Sequence, residues 1–172
     1  MKITDIKILK MSAEQHKSET NNWLFVKIYT DSGIYGIGEG SLQYKDKALE
    51  AEIMDFGKFL IDLDPFDIEY IWTSMYRRVT WTGGAVTMSA ISAIDMALWD
   101  IKGKRLDVPI YELMGGKTRD KVRCYIHVNG DTPETLAQDA KKAVNKGFTA
   151  VRFGAFGPKY WLYRSYSKWA NE

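Results

Sequence analysis

Two basic side chains in the second half of the chain have the spacing most suited to chemistry. Val122, Cys124, Ile126 and Val128 alternate with Arg123, Tyr125 and His127, which reads as a strand with an apolar and a polar side. If the apolar set faces helices, then Arg123, Tyr125 and His127 face the other way, with His127 nearest the C-terminal end. Arg152 falls at the same end of a further strand pattern, Phe148 to Phe153. In barrels of parallel strands, catalytic groups cluster at those ends. The plainer readings stay open: a satisfied strand-end polar group for His127 and a surface ion pair for Arg152.

Other candidate chemistry is weaker. Gly36, Gly38 and Gly40 suggest a nucleotide loop, but position 41 is Ser, so the third glycine of the dinucleotide fingerprint is missing. The element ahead of them is a hairpin strand, and strand-end glycines fit better. Asp95 and Asp100 sit inside an apolar helical pattern, where an unpaired carboxylate is costly. They read as hydrogen-bonded structural acids or edge residues.

These groups need elements to hold them. Ile3 to Lys10 alternates as a first strand, Met11 to Asn22 is a polar loop, and Trp23 to Thr30 is a second strand with Leu24, Val26 and Ile28 on one face. Asp31-Ser32-Gly33 turns the chain into a third strand, Ile34 to Glu39. Leu49, Ile53, Phe56 and Leu60 stripe one helix; Ile68, Trp72 and Met75 stripe the next, introduced by Asp64-Pro65. The loop from Thr80 to Gly84 leads to a buried helix starting near Ser89, with Ala90, Ile94, Ala97 and Ile101 at three- and four-residue steps. Its Ala and Ser positions let another element approach the backbone closely. That helix is expected to fray at Gly103, with a short helix after Asp107 and Pro109 ending at Gly115-Gly116. Thr132-Pro133 caps a helix with Leu136, Ala140 and Ala143 on one face, closed by Gly147. Strand, helix and strand then make one βαβ unit, which cannot cover its own sheet. After Pro158 the tail KYWLYRSYSKWANE has neither periodicity, so the chain is a fragment or departs from an ancestral reading frame near Trp161.

Composition excludes several classes. A net charge of +2 gives no electrostatic case for nucleic acid or membrane, and no apolar run reaches transmembrane length. The single Cys124 cannot form an internal disulfide, and no signal peptide leads the chain, so a cytoplasmic setting is expected.

The run Ala90, Ala93, Ile94, Asp95, Ala97, Leu98, Asp100, Ile101, Gly103, Lys104, then Pro109, Ile110, Leu113, Met114 and Gly115, resembles a known signature. It is that of the mandelate racemase and muconate lactonizing enzyme group of the enolase superfamily. The resemblance covers about residues 1–158. It implies an α+β capping domain over 1–116, with a three-stranded antiparallel sheet and a helical bundle. It further implies the start of a truncated (β/α) barrel over 117–158, leaving 159–172 as an irregular tail.

The chemistry the family implies is proton removal beside a carboxylate, with the enediolate stabilised by Mg²⁺. The metal ligands end later barrel strands, so no metal residue is assigned here. The chain alone is expected to be inactive and to carry no cofactor. CYIHVNG resembles the first barrel strand of the mannonate dehydratase branch, where the matching His contacts the acid sugar, so His127 is expected to bind substrate. Arg152 matches an Arg that works beside a Tyr in proton transfer, and it is the catalytic candidate. Gln43, in SLQYKD, stands where that branch has a substrate-contacting Asn, and the Gln43 and Trp81 loops are expected to close the pocket. Arg152-Phe153-Gly154 replaces the Lys-x-Lys of racemases and cycloisomerases, which disfavours those reactions. TAVRFGAFGPKYW also resembles the gluconate and galactonate branches.

The expected function is therefore the N-terminal portion of an acid-sugar dehydratase yielding a 2-keto-3-deoxy acid. Mannonate, gluconate and galactonate all remain open as substrates. The rivals are a non-catalytic, self-associating domain and a fragment of a racemase or cycloisomerase. Family members often assemble, so a homo-oligomer is expected, with a small sugar acid as the other partner.

Overall fold

The computed structural model describes residues 1–12, 22–78 and 80–153. The tail beyond residue 153, including Gly154, and the middle of the first loop lie outside the described residues. The chain divides into two compact units, Met1–Lys117 and one that begins at Thr118.

In the first unit, β1 (Ile3–Ser12), β2 (Asn22–Thr30) and β3 (Tyr35–Glu39) form an antiparallel sheet in the order β1-β2-β3. Alternation is the cause: Ile6, Leu24, Val26 and Ile28 are buried on one face. Gly33, at φ +82°, makes the turn, and the Thr30 hydroxyl donates to the Ile34 carbonyl at 2.6 Å. Both strands of the hairpin at the first loop run further into that loop than the sequence expectation, because Met11 pairs with Trp23 and Ser12 with Asn22.

Four helices follow: α1 (Asp46–Leu60), α2 (Ile68–Arg77), α3 (Ala85–Leu106) and the short α4 (Ile110–Leu113). All four stripe residues of α1 are buried. In α2 the buried set is Ile68, Ile71 and Met75, while Trp72 is only partly buried and stacks on Tyr76. Ile71 takes the inner position in its place.

The core converges on α3, which packs on β2, β3, α1, α2 and α4. Its contact with β3 is unusually close. A Cβ on Gly36 would lie 1.9 Å from the Ala97 carbonyl oxygen, and one on Gly38 would lie 1.9 Å from that of Ala93. The glycines of the rejected nucleotide loop therefore serve to bring a strand against a helix backbone, facing the small residues of α3. Asp100 and Lys104 then close the open edge of β3. Asp100 Oδ2 accepts the Ile37 N–H at 2.9 Å, and Lys104 Nζ donates to the Tyr35 carbonyl at 2.8 Å and to Asp100 at 2.6 Å. An exposed strand edge invites pairing with other chains, and this ion pair occupies two of its groups.

The helix does not fray at Gly103, contrary to expectation. It runs to Leu106 and stops at Asp107, whose φ of +55° places it in the left-handed region. The Val108 N–H returns to the Gly103 carbonyl at 3.1 Å. Gly103 is small because Val108 and Ile110 pass over it, with a Cβ there meeting them at 3.0 and 3.2 Å.

The second unit holds β4 (Ile126–His127), α5 (Pro133–Asn145) and β5 (Val151–Arg152), with β4 and β5 parallel. Both strands are far shorter than the alternation suggests. Residues 121–125 join no ladder, and Val122 and Cys124 are exposed rather than turned toward a helix. A βαβ unit provides each strand with one neighbour, so pairing survives only where the two coincide. Val128 and Ala143 form its buried centre.

Two outcomes are expected of the first unit. Gly36→Ala should lower unfolding free energy by at least about 2 kcal/mol in urea titrations, because a backbone carbonyl must move. Gly57→Ala, whose new methyl meets only Ile6 side-chain atoms at 3.6 Å and beyond, should be neutral or stabilise by up to about 1 kcal/mol. Asp95 gives a pH-dependent outcome. Half-burial on α3, and then the charge of Glu69 on α2, push its carboxyl above the ordinary value. The folded state thus holds a proton that the unfolded state releases. Stability falls as pH rises from the unfolded pKa through the raised folded one. Asp95→Asn should therefore raise the urea midpoint near pH 7 and leave it unchanged near pH 3.

Candidate substrate-binding site

The parallel pairing of the second unit brings two candidates together. His127 pairs with Arg152 across the β4–β5 ladder, and Ile126 pairs with Val151. The Val128 N–H donates to the Arg152 carbonyl at 2.9 Å, fixing this register just past the two side chains. Ile126, half-buried, and Val128, buried, flank an exposed His127, so alternation holds at this end of the strand. Arg152 is also exposed.

The chain after β4 is held by α5. Asp139 Oδ2 accepts the Asn129 N–H at 3.0 Å. Gly130 passes so close to the first turn of α5 that a Cβ would lie 2.3 Å from the Leu136 nitrogen. Thr132 and Thr135 form a reciprocal cap, and Pro133 opens the helix. The Glu134 carboxyl lies below its usual range because its own backbone N–H and the Thr132 side chain bond to it. Gly147, at φ +91°, then turns the chain toward β5.

Alternation also put Tyr125 and Arg123 on the side of His127, and the two behave differently. The Tyr125 ring stacks on the His127 imidazole, with centroids 5.6 Å apart and planes inclined by 18°. Tyr125 was not among the candidates, although its two-residue offset already placed it beside the imidazole. Arg123 is spent on structure. Its Nε donates to the Thr149 hydroxyl at 2.9 Å, and its Nη2 donates to the Thr149 carbonyl at 2.6 Å. It lines a cavity of about 420 Å³ with Lys121, Cys124 and Lys146, at the strand starts rather than at the His127 end.

Gln43 and Trp81 stand on two separate loops of the first unit. Gln43 is exposed in a turn closed by the Lys45 N–H on the Leu42 carbonyl at 3.1 Å, and Leu42 anchors that turn on the core. Its neighbour Tyr44 has a φ of +62°, a strained value for a side-chain-bearing residue and one common at functional loops. Trp81 is 88% exposed, just ahead of Gly83 and Gly84 at φ +82° and +85°. An indole this exposed has no packing role in its own unit.

Among the described residues no three His, Cys, Asp or Glu side chains are grouped to hold a metal ion. The described residues therefore do not fit a Mg²⁺ site. Among the same residues no helix is long and apolar enough to cross a membrane.

Known proteins resemble this chain in sequence and fold. The family model for the mandelate racemase / muconate lactonizing enzyme N-terminal domain matches residues 4–115. A D-galactonate dehydratase of Variovorax paradoxus is 47% identical over 130 residues, which is 76% of this chain and 34% of that protein. The D-galactonate dehydratase family member RspA of Cellvibrio japonicus is 40% identical over 153 residues, covering 88% of this chain and 37% of that one. The chain thus spans about a third of the length of these relatives. Among solved structures, an enolase from Pantoea ananatis with bound D-gluconate and Mg superposes with a TM-score of 0.81 at 34% identity, over 88% of this chain and 36% of that one. A member of the enolase superfamily from Salmonella Typhimurium gives 0.77 at 36% identity, over 87% and 41%. Through this N-terminal domain, with its three-stranded sheet, helices and the parallel pair that follows, the chain belongs to the mandelate racemase / muconate lactonizing enzyme family of the enolase superfamily.

Proposed function

We propose that this chain supplies the capping domain and first barrel strands of a sugar-acid dehydratase, with D-galactonate as first substrate, ahead of D-gluconate and D-mannonate. The observation that carries the reading is the register of His127 against Arg152 in a chain whose matched relatives include D-galactonate dehydratases. A sugar acid offers a carboxylate and a row of hydroxyls. A guanidinium grips a carboxylate through parallel N–H bonds, and an imidazole can donate to or accept from a hydroxyl. Arg152 is the catalytic residue in this proposal, contacting the reacting end of the acid. His127 orients the hydroxyls, and Gln43 and Trp81 are substrate-binding residues of the cap loops.

Mg²⁺ belongs to the complete enzyme in this reading, held by residues beyond those described. The chain alone is then expected to turn nothing over. A cytoplasmic setting is part of the same proposal.

Two assays test it. The 172-residue chain, given Mg²⁺ and D-galactonate, should form no 2-keto-3-deoxy product. A chimera joining residues 1–153 to the matching remainder of the Variovorax dehydratase should form it. In that chimera Arg152→Ala should lower kcat by about 100-fold or more, the scale of a lost acid–base group. His127→Ala should mainly raise KM, by about 10-fold, the scale of one lost hydrogen bond to substrate. Unchanged kinetics in both variants would remove these residues from the site.

A further inference from the structure

The backbone around His127 is held on both flanks. The Ile126 N–H donates to the Ala150 carbonyl at 3.4 Å, and the Val128 N–H donates to that of Arg152 at 2.9 Å. These bonds set the direction in which the His127 side chain leaves the strand. They do not set the plane of its ring. The last torsion of a histidine joins an sp³ carbon to an sp² ring and is broad, so the imidazole can turn about it. A ring that must present one nitrogen to a substrate hydroxyl needs a further contact to hold that plane.

That contact is commonly a hydrogen bond from the second ring nitrogen to a carboxylate or a backbone carbonyl. Among the described residues His127 makes no hydrogen bond and no ion pair. Its ring contact is Tyr125, two residues back on the same side of the strand, with centroids 5.6 Å apart and planes inclined by 18°. This lies in the range of offset-stacked aromatic pairs. Turning the imidazole out of the shared plane would drive its edge into the phenol face or open the stack. Tyr125 itself is 54% exposed, and its hydroxyl makes no hydrogen bond among the described residues. What it offers His127 is therefore the ring face. Arg123, the next residue on that side, is taken up by Thr149 and is no rival for the role.

We propose that Tyr125 is a positioning residue for His127, its ring holding the imidazole plane in which a ring nitrogen meets a substrate hydroxyl. This role rests on His127 binding substrate and goes beyond it, because Tyr125 acts through the imidazole and touches no reacting atom. The stack is the whole of the device, and the phenol hydroxyl takes no part in it.

Two measurements test this. In the 172-residue chain, proton NMR should show nuclear Overhauser contacts between the Tyr125 and His127 ring protons. The chain has two histidines, so His127→Ala identifies the signals. Absence of those contacts overturns the proposal, and this arm needs no variant at position 125 to fold. In the chimera with the Variovorax remainder, Tyr125→Leu should raise KM for D-galactonate by about 3- to 10-fold, the scale of one aromatic pair, with kcat changed by less than about twofold. Tyr125→Phe should keep the wild-type KM. In the His127→Ala background Tyr125→Leu should add nothing, since its effect passes through that imidazole. If His127→Ala raises KM and Tyr125→Leu does not, the positioning role is wrong and His127 keeps its place in the site. A loss in Tyr125→Phe equal to that in Tyr125→Leu would assign the role to the hydroxyl, and a Tyr125→Leu effect undiminished without His127 would assign it to folding. Either result overturns the proposal. If His127→Ala leaves KM unchanged, the substrate-binding role of His127 fails first, and that of Tyr125 with it.

Discussion

The first unit depends on one close approach, that of the α3 backbone to β3. Two glycines at alternate strand positions leave the strand face bare, and Ala93 and Ala97 present the helix side of the contact. Backbone meets backbone with no side chain between them. Everything else in the unit is referred to that contact: α1, α2 and α4 pack around α3, and β2 and β1 extend from β3. The Asp100–Lys104 pair adds direction, because it fixes the strand edge to the helix through the strand's own N–H and C=O groups.

The contact also sets where the candidate loops emerge. The Gln43 turn lies between β3 and α1, and the Trp81 loop runs directly into α3. Both loops therefore start or end on the two elements of this close contact. Loops that carry function are commonly held in this way on a scaffold that does not move. Strain at Tyr44 and exposure at Trp81 occur at these points and not within the core.

Much of this was legible in the sequence, and the failures have physical causes. Period-two alternation located all three cap strands, and the small residues of α3 signalled a close neighbour without naming it. The neighbour was written in Gly36 and Gly38, whose spacing suits a strand face as well as a phosphate loop. Gly103 misled for the opposite reason. A helical glycine reads as a break, whereas here it makes room for Val108 and Ile110. In the second unit alternation over Val122 to Val128 overstated the strand, because a strand needs partners as well as a pattern. The pair His127 and Arg152 was legible as a shared strand end, and Tyr125 was visible but unvalued. The clamp of Asp100 and Lys104 was missed as a pair, although opposite charges four residues apart on a helix are the usual sign of one.

The functional reading rests on the second unit being the opening of a larger barrel, since one parallel pair with one helix leaves strand edges and apolar side chains uncovered. The most direct measurement is the DNA sequence past the Glu172 codon, translated in all three frames from Pro158 onward. The account predicts that one frame continues in strand–helix units, with an acidic residue ending each of three successive strands. If no frame does so, the chain has no source for the metal site, and the dehydratase reading fails.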